Sequence, residues 1–462
     1  MRVTLLGHAT VLVELDGANI LMDPVLQDPF EDGAVISCPR RMIRADKLPP
    51  LYAIIISHSH PDHFDIPSLA RLPRDVHVVY PDDKVIQYAL ESLGFTNVHP
   101  TLPMSRMAFN TFELLTTHSD VTNILEFGVI FRDKSGTFWN QVDSVLSDET
   151  IDYSLEAVGS IDLLFAMHAS QNFGFFENRS TGFPHDMHQM NLATALRIRP
   201  RLTVPGAAGF RFAGDIEWCN AFLFPISREQ FVADLRTLDP GLATAIANPG
   251  DVFEIEAGTV KHRPGASEVA QMLEEDTWRL KFDPTATIPP LEDTNPDGYS
   301  ETQLRSEVAK VISALEAFLR TAFASQDQTM VPFRELAVSY AIEVVFPDGS
   351  QRYRIQFASD GFRIESGPAA AAVAQMEHRI TASALTGWAR RERSYFYFRA
   401  FSRTFSTLHE LKVVDGTVTV TPRDIPDLLT AFMTYKFEGA ESAMKHLVDH
   451  MIRSRVRPPL NA

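Results

Sequence analysis

A layered α/β architecture, with sheet sandwiched by helices, is the fold class predicted for residues 1–282, and a second, α+β domain for residues 301–462. Three observations predict it. The chain opens in hairpin-like apolar segments, continues with apolar strands that alternate with helical patterns, and changes composition sharply at 283–300. Residues 1–24 give three short strands, Val3–Leu6, Val11–Leu15 and Ile20–Met22, with Asp16-Gly17 as a hairpin turn. Ala53-Ile54-Ile55-Ile56 is a buried strand. A helix follows near Ile66–Leu72, then a strand at Val76–Tyr80 and a helix over Lys84–Leu93 that stops at Gly94. Phe112–Thr116, Ile124–Phe131, Thr137–Asn140, Ile161–Ala166 and Leu202–Val204 are further strands, and Gln189–Arg197 is helical.

Pro284, Pro289, Pro290, Pro296 and Gly298 mark 283–300 as a linker or wrapping segment. Beyond it, Glu301–Ala324 has helical periodicity, Ser339–Phe346 and Arg352–Phe357 flank a Pro347-Asp348-Gly349 turn, and Ile380–Arg390 reads as helix. Val413–Val420 turns at Asp415-Gly416, and Leu428–Arg455 is helical in pattern. The run Tyr395-Phe396-Tyr397-Phe398 reads as core.

A chain of 462 residues with 45% hydrophobic content can bury a core in each of two domains. No apolar run reaches the length of a membrane span. The apolar start is too short for a signal peptide, and two cysteines, Cys38 and Cys219, make no disulfide or metal framework. A cytoplasmic protein is the expectation. The formal net charge of −17 argues against nucleic acid as the main partner, since phosphate binding needs a basic surface. Arg40, Arg41 and Arg44, and Arg390, Arg391 and Arg393, are local basic clusters that read as solvated surface charge.

The chemistry concentrates in Ser57-His58-Ser59-His60-Pro61-Asp62-His63, directly after the buried strand. Imidazole and carboxylate suit zinc, iron or manganese. His58 and His60 alternate along an extended segment, so both point the same way. The loop serves a dinuclear site: one ion takes His58 and His60, its neighbour Asp62 and His63. A bound metal brings the pKa of its water toward ~7.

His58-x-His60-x-Asp62-His63, preceded by Leu6-Gly7-His8-Ala9-Thr10 and Ile20-Leu21-Met22-Asp23-Pro24, resembles the metallo-β-lactamase superfamily. The resemblance implies a metallo-β-lactamase αββα sandwich with a C-terminal α+β domain, holding two divalent metal ions. It implies His118 as a further ligand of the first metal and Asp143 as the bridging aspartate, with Val142 where the family has glycine. The family's last histidine is replaced by Ala207-Ala208, which makes His168 the substitute, ahead of His185 and His188. It further implies that His8 lines the site as a catalytic or substrate-binding group beside Asp62, and that Asp23 orients the histidine loop from behind.

Within the superfamily the chain is similar to the metallo-β-lactamase-like part of CMP-N-acetylneuraminate hydroxylase. That likeness rests on Ile56–His63 with Ile66-Pro67-Ser68-Leu69, on Trp139–Asp143, Ser180-Thr181-Gly182-Phe183-Pro184 and Pro200–Gly209, and on Ser394–Arg399. That hydroxylase carries a Rieske domain, and here no Cys-x-His pairs exist to build one. The Leu6–Thr10 element is shared with the ascorbate-6-phosphate lactonase and N-acyl-phosphatidylethanolamine phospholipase branch. Residues 330–462 resemble a sterol-carrier-like domain and fit a packing or homo-oligomerisation domain equally well. Two functions are therefore expected in order. The first is a non-haem di-iron oxygenase acting on a small molecule, with electrons from a separate partner. The second is a zinc or manganese hydrolase of an ester, lactone or phosphodiester. A non-catalytic metal-binding protein is third.

Overall fold

The computed structural model describes residues 1–121, 124–169, 171–177, 183–325, 327–390, 392–423, 425–433, 448, 449 and 452. Of the sequence features above, Ser180-Thr181-Gly182, Arg391 and nearly all of the helical pattern beyond Ala431 lie outside the described residues. The chain divides into two compact units. The first is Met1–Asn172, Phe183–Ala286 and Lys445–Ala462; the second is Phe173–Gly182 and Thr287–Met444.

The first unit contains two large sheets. One uses β1 (Arg2–Gly7), β2 (Thr10–Leu15), β3 (Ala18–Met22), β4 (Ala53–Ile55), β5 (His77–Pro81) and β6 (Asn97–Thr101), and two late strands, β13 (Val252–Glu256) and β14 (Thr259–Arg263), join it beside β1. The order is β14-β13-β1-β2-β3-β4-β5-β6, and β3 through β6 run parallel. The other sheet uses β7 (Arg106–Ala108), β8 (Phe112–Thr116), β9 (Val129–Asp133), β10 (Gly136–Asn140), β11 (Leu163–Met167) and β12 (Leu202–Gly206), paired in that order. Its β10, β11 and β12 are parallel.

The two-residue period of a strand builds the layers. Ile20, Met22, Ala53 and Ile55 face a core shared with Leu114, Phe131, Phe138 and Phe165 of the second sheet. Leu21, Ile54 and Ile56 face the opposite way, onto Ile86, Ala89 and Leu90 of α1 (Lys84–Leu93). Leu115, Ile130, Trp139 and Leu164 pack outward on α2 (Asp148–Val158), α3 (His185–Ile198) and α4 (Arg228–Leu238). The four layers are an αββα sandwich, as the motifs implied.

In the second unit α5 (Glu301–Ala324) accompanies a five-stranded sheet of 361–366, 349–358, 339–346, 376–381 and 402–406 in spatial order. A two-stranded hairpin, His409–Val414 with Thr417–Pro422, is separate from that sheet. His378 is fully buried here: Nδ1 bonds Asp427 Oδ1 at 2.7 Å and Nε2 meets Ser402 Oγ at 3.1 Å. Tyr340 Oη donates to Asp427 Oδ2 at 2.9 Å.

The division differs from the expected 1–282, 283–300 and 301–462 at both ends. Phe173–Gly182 belongs to the second unit, where Arg399 pairs with Glu177 and lies over the Phe173 ring. Val448 belongs to the helix-side core of the first unit, and Asp449 accepts from Tyr88 Oη at 2.9 Å. Within 283–300, Asp293 is buried and accepts the Ser383 backbone N–H at 2.8 Å, which ties this stretch to the second unit as a wrapping segment. Among the described residues no helix is long and apolar enough to cross a membrane.

Candidate metal centre

The histidine loop leaves the end of β4 and is fixed by a buried carboxylate on the neighbouring strand. Asp23 follows β3, is fully buried, and takes a left-handed backbone (φ 47°). Its Oδ1 accepts the Ser57 backbone N–H at 2.7 Å, and its Oδ2 accepts from Ser57 Oγ at 2.7 Å and His63 Nδ1 at 2.9 Å. A carboxylate only accepts, so His63 carries its proton on Nδ1 and turns Nε2 inward. That Nε2 is buried without a hydrogen-bond partner, 3.4 Å from Asp143 Oδ2 and 3.7 Å from Asp62 Oδ2.

His58 is fully buried, its Nε2 3.0 Å from His60 Nδ1 and 3.9 Å from Asp143 Oδ2. Two sets of donor atoms result: His58, His60 and Asp143, and His8, Asp62 and His63. Asp143 lies between them, within reach of His58 and His63. It follows Val142, a buried β-branched residue at φ 58°, a backbone that glycine adopts far more readily.

Burial pushes His58 well below the ordinary imidazole range, and the neighbouring His63 and His60 push it the same way. Burial also lowers His60, against the pull of Asp62 and Asp143. For Asp62 burial acts upward, but His63 and the hydrogen bond from His8 outweigh it and hold the carboxyl far below its usual range. For His63 burial acts downward and Asp143 and Asp62 reverse it. Neutral imidazoles at His58 and His60 and an ionised Asp62 are the protonation states metal ligation needs. With the orphaned Nε2 of His63, this donor set fits a pair of divalent ions.

The structure brings His8, His58, His60, Asp62, His63 and Asp143 together. His8 accepts the Gly209 N–H at Nδ1 (3.2 Å), so its Nε2–H donates to Asp62 Oδ2 at 3.1 Å. His8 therefore orients Asp62 and holds a proton beside it. Gly209 must be glycine: a Cβ there would stand 2.9 Å from His8 Cα.

The structure does not bring His118 into either set. Its side chain is 51% exposed and lies 3.4 Å from Asp120, because the chain leaving β8 turns outward. His168 is buried but stands outside the ligand sets, with Nδ1 committed to the Gly206 carbonyl at 3.0 Å. His188 Nε2 is spent on Asp234 at 2.7 Å, and the His185 ring lies tilted against Phe183. Arg41, expected at the surface, is buried and donates to the Leu6, Gly7 and Val25 carbonyls and to Asp28, so it braces β1.

Glu126 escaped the sequence reading. It is buried beside the histidine loop, where Phe127 N–H meets Ser57 O at 3.3 Å, and Ser119 Oγ donates to it. Burial pushes its carboxyl up to about 7, and Asp143 adds to the rise. The available signal was a lone acid in the apolar run Ile124-Leu125-Glu126-Phe127. Next to His8 opens a cavity of about 420 Å³, walled by His168, Phe165, Ala207, Ala208 and Phe224 among others.

Residues 2–122 match the family model described as a beta-lactamase superfamily domain. The fold is the metallo-β-lactamase fold. An uncharacterized protein of Mycobacterium tuberculosis is 37% identical over 76 residues, 16% of this chain and 20% of its own length. A protein of Mycolicibacterium smegmatis described as a Rieske 2Fe-2S iron–sulfur protein is 34% identical over 111 residues, 22% of this chain and 20% of its own. The matches thus span about a fifth of the length of the curated relatives. The solved isothiocyanate hydrolase from Delia radicum gut bacteria is 17% identical, over 56% of this chain and all of that one, with a TM-score of 0.42.

Proposed function

We propose that this protein is a dinuclear non-haem iron oxygenase that hydroxylates a small molecule with electrons delivered by a separate partner. The observation that carries the reading is the donor set. His118 points outward and Ala207-Ala208 supplies no imidazole, so His58, His60 and Asp143 would hold one ion and Asp62 and His63, with Asp143 in reach, the other. Among the described residues, three donors per ion would leave coordination positions open, the room that dioxygen activation needs and that a zinc-bound water would also use. When bound, iron would supply the redox step: one oxygen atom enters a substrate C–H bond and the other leaves as water, using two electrons and two protons from the donor. The protein's own groups exclude water through the apolar wall, orient Asp62 through His8, and hold a proton on His8 Nε2. The M. smegmatis relative described as a Rieske iron–sulfur protein supports an external electron donor.

A hydrolase is the second reading, favoured by one observation. His8 Nε2–H stands 3.1 Å from Asp62, at the edge of the cavity, where it can protonate a leaving group. Elemental analysis of the full chain, expressed with added iron, decides between them. Two irons per chain and reductant-dependent oxygen uptake are expected. Zinc alone, with turnover of 4-nitrophenyl esters or bis(4-nitrophenyl) phosphate, overturns the oxygenase reading. A His60→Ala, Asp62→Ala double variant that keeps its metal overturns both.

A further inference from the structure

The cavity beside His8 contains a polar group that the metal centre does not use. His168 is buried in its wall and donates Nδ1–H to the Gly206 carbonyl at 3.0 Å. A carbonyl only accepts, so the tautomer is fixed and Nε2 bears a lone pair. Burial pushes this imidazole down to about 4, with the Gly206 hydrogen bond acting weakly against it, so the ring is neutral at physiological pH. No described residue donates to Nε2. The surrounding wall is largely apolar, including Leu5, Phe165, Phe224 and Ile226. With no donor on it from the described residues, Nε2 is free to accept from a ligand's own N–H or O–H.

The charged groups around the cavity are balanced: Arg228 and Lys281 against Glu229 and Glu275. Arg228 is already spent. It donates to the Ala247 carbonyl at 3.1 Å, Asn248 Oδ1 at 2.9 Å and Glu229 at 3.1 Å. An anionic substrate would find no unspent guanidinium there. Cys38, also on the wall, is held by Asp276, and burial raises its thiol far above the reactive range.

We propose that the cavity takes a neutral, largely apolar molecule bearing a hydroxyl or amide N–H, and that His168 Nε2 accepts that hydrogen. This rests on the metal centre being the reacting site. His168 is then a specificity-determining residue, which sets which end of the molecule lies toward His8 and Asp62.

The test uses the full chain and two near-isosteric probes, 2-naphthol, which can donate, and 2-fluoronaphthalene, which cannot. Binding is measured by equilibrium dialysis at neutral pH, with metal content determined on the same samples. The wild type should bind 2-naphthol about tenfold more tightly, the worth of one recovered hydrogen bond. His168→Phe should bring the two probes within twofold, and His168→Gln, which keeps an acceptor, should retain part of the preference. Both variants should keep the wild-type metal content and circular dichroism. Equal binding of the probes by wild type, a tenfold preference that survives in His168→Phe, or loss of metal from folded His168→Gln would overturn the proposal. A chain that binds no metal yet shows the expected preferences refutes the oxygenase reading and upholds the cavity assignment.

Discussion

Asp23→Asn isolates what positions the ligands from what binds the metal. The carboxylate accepts three hydrogen bonds, from Ser57 N, Ser57 Oγ and His63 Nδ1, at 2.7, 2.7 and 2.9 Å. An asparagine keeps one oxygen, which stays with the Ser57 backbone N–H. The Ser57 hydroxyl can rotate and accept from the new amide. His63 cannot adapt so easily, because its Nδ1–H would face an N–H donor. The ring must either lose that bond or move its proton to Nε2, the atom turned toward Asp62 and Asp143. A hydrogen bond to a charged group is worth about 1.5–3 kcal/mol. Spent on ligand orientation, that is roughly 10–100-fold in metal affinity, the range typical of outer-shell carboxylates. The assay is competition against a chromophoric chelator with the purified full chain, with thermal melting of the apo form as control. Affinity within twofold of wild type in a folded Asp23→Asn chain would refute the argument, and with it the assignment of His63 Nε2 as a ligand atom.

Three further expectations follow from side-chain placement. Val142→Gly relieves a left-handed β-branched residue worth about 1–2 kcal/mol but removes a buried side chain worth roughly 1.5–3 kcal/mol; denaturant melts should show a net result between a gain of about 0.5 and a loss of about 2 kcal/mol, and a loss above about 3 kcal/mol would mean the backbone is unstrained. His118→Ala should leave metal content unchanged, since the imidazole is half exposed beside Asp120; loss of one ion per chain would show that the loop turns inward on metal loading. Asp427→Asn removes the buried carboxylate partner of His378 and should destabilise the second unit by about 3 kcal/mol in urea. Burial raises the Asp427 carboxyl, but His378 and the hydrogen bonds from Thr430 and Tyr340 bring it below the usual range. Its contribution is therefore complete above about pH 4 and fades as pH falls through the lowered folded value; a wild-type chain whose second unit loses no more stability than Asp427→Asn does as pH falls from about 4 to about 2 would contradict this pairing.

The sandwich was legible because its signals are local. Alternation at Ile20-Leu21-Met22 and the apolar run at Ala53–Ile56 specify which side chains face the shared core and which face α1, and the structure divides them in that way. The histidine loop stood out for the same reason: four candidate donors follow directly on a buried strand, and the structure divides them between the two sets. What failed to read was whatever depends on the path of a connecting segment. His118 sits one residue beyond Thr117, so its direction is set by how the chain turns after β8, and hydropathy carries no information about that turn. The strand expected at Ile124–Phe131 begins at Val129: before it Phe127 N–H turns to the Ser57 carbonyl, and Gly128 lies so close to Thr117, Asn140 and Gln141 that an added Cβ would stand 2.8–3.0 Å from them. On this stretch His118 faces outward beside Asp120, and Glu126 is buried near the histidine loop, held by Ser119. A motif defined by spacing alone assigns a ligand by position, whereas the direction of a side chain such as His118 depends on how the connecting segment turns, and here it turns the imidazole outward.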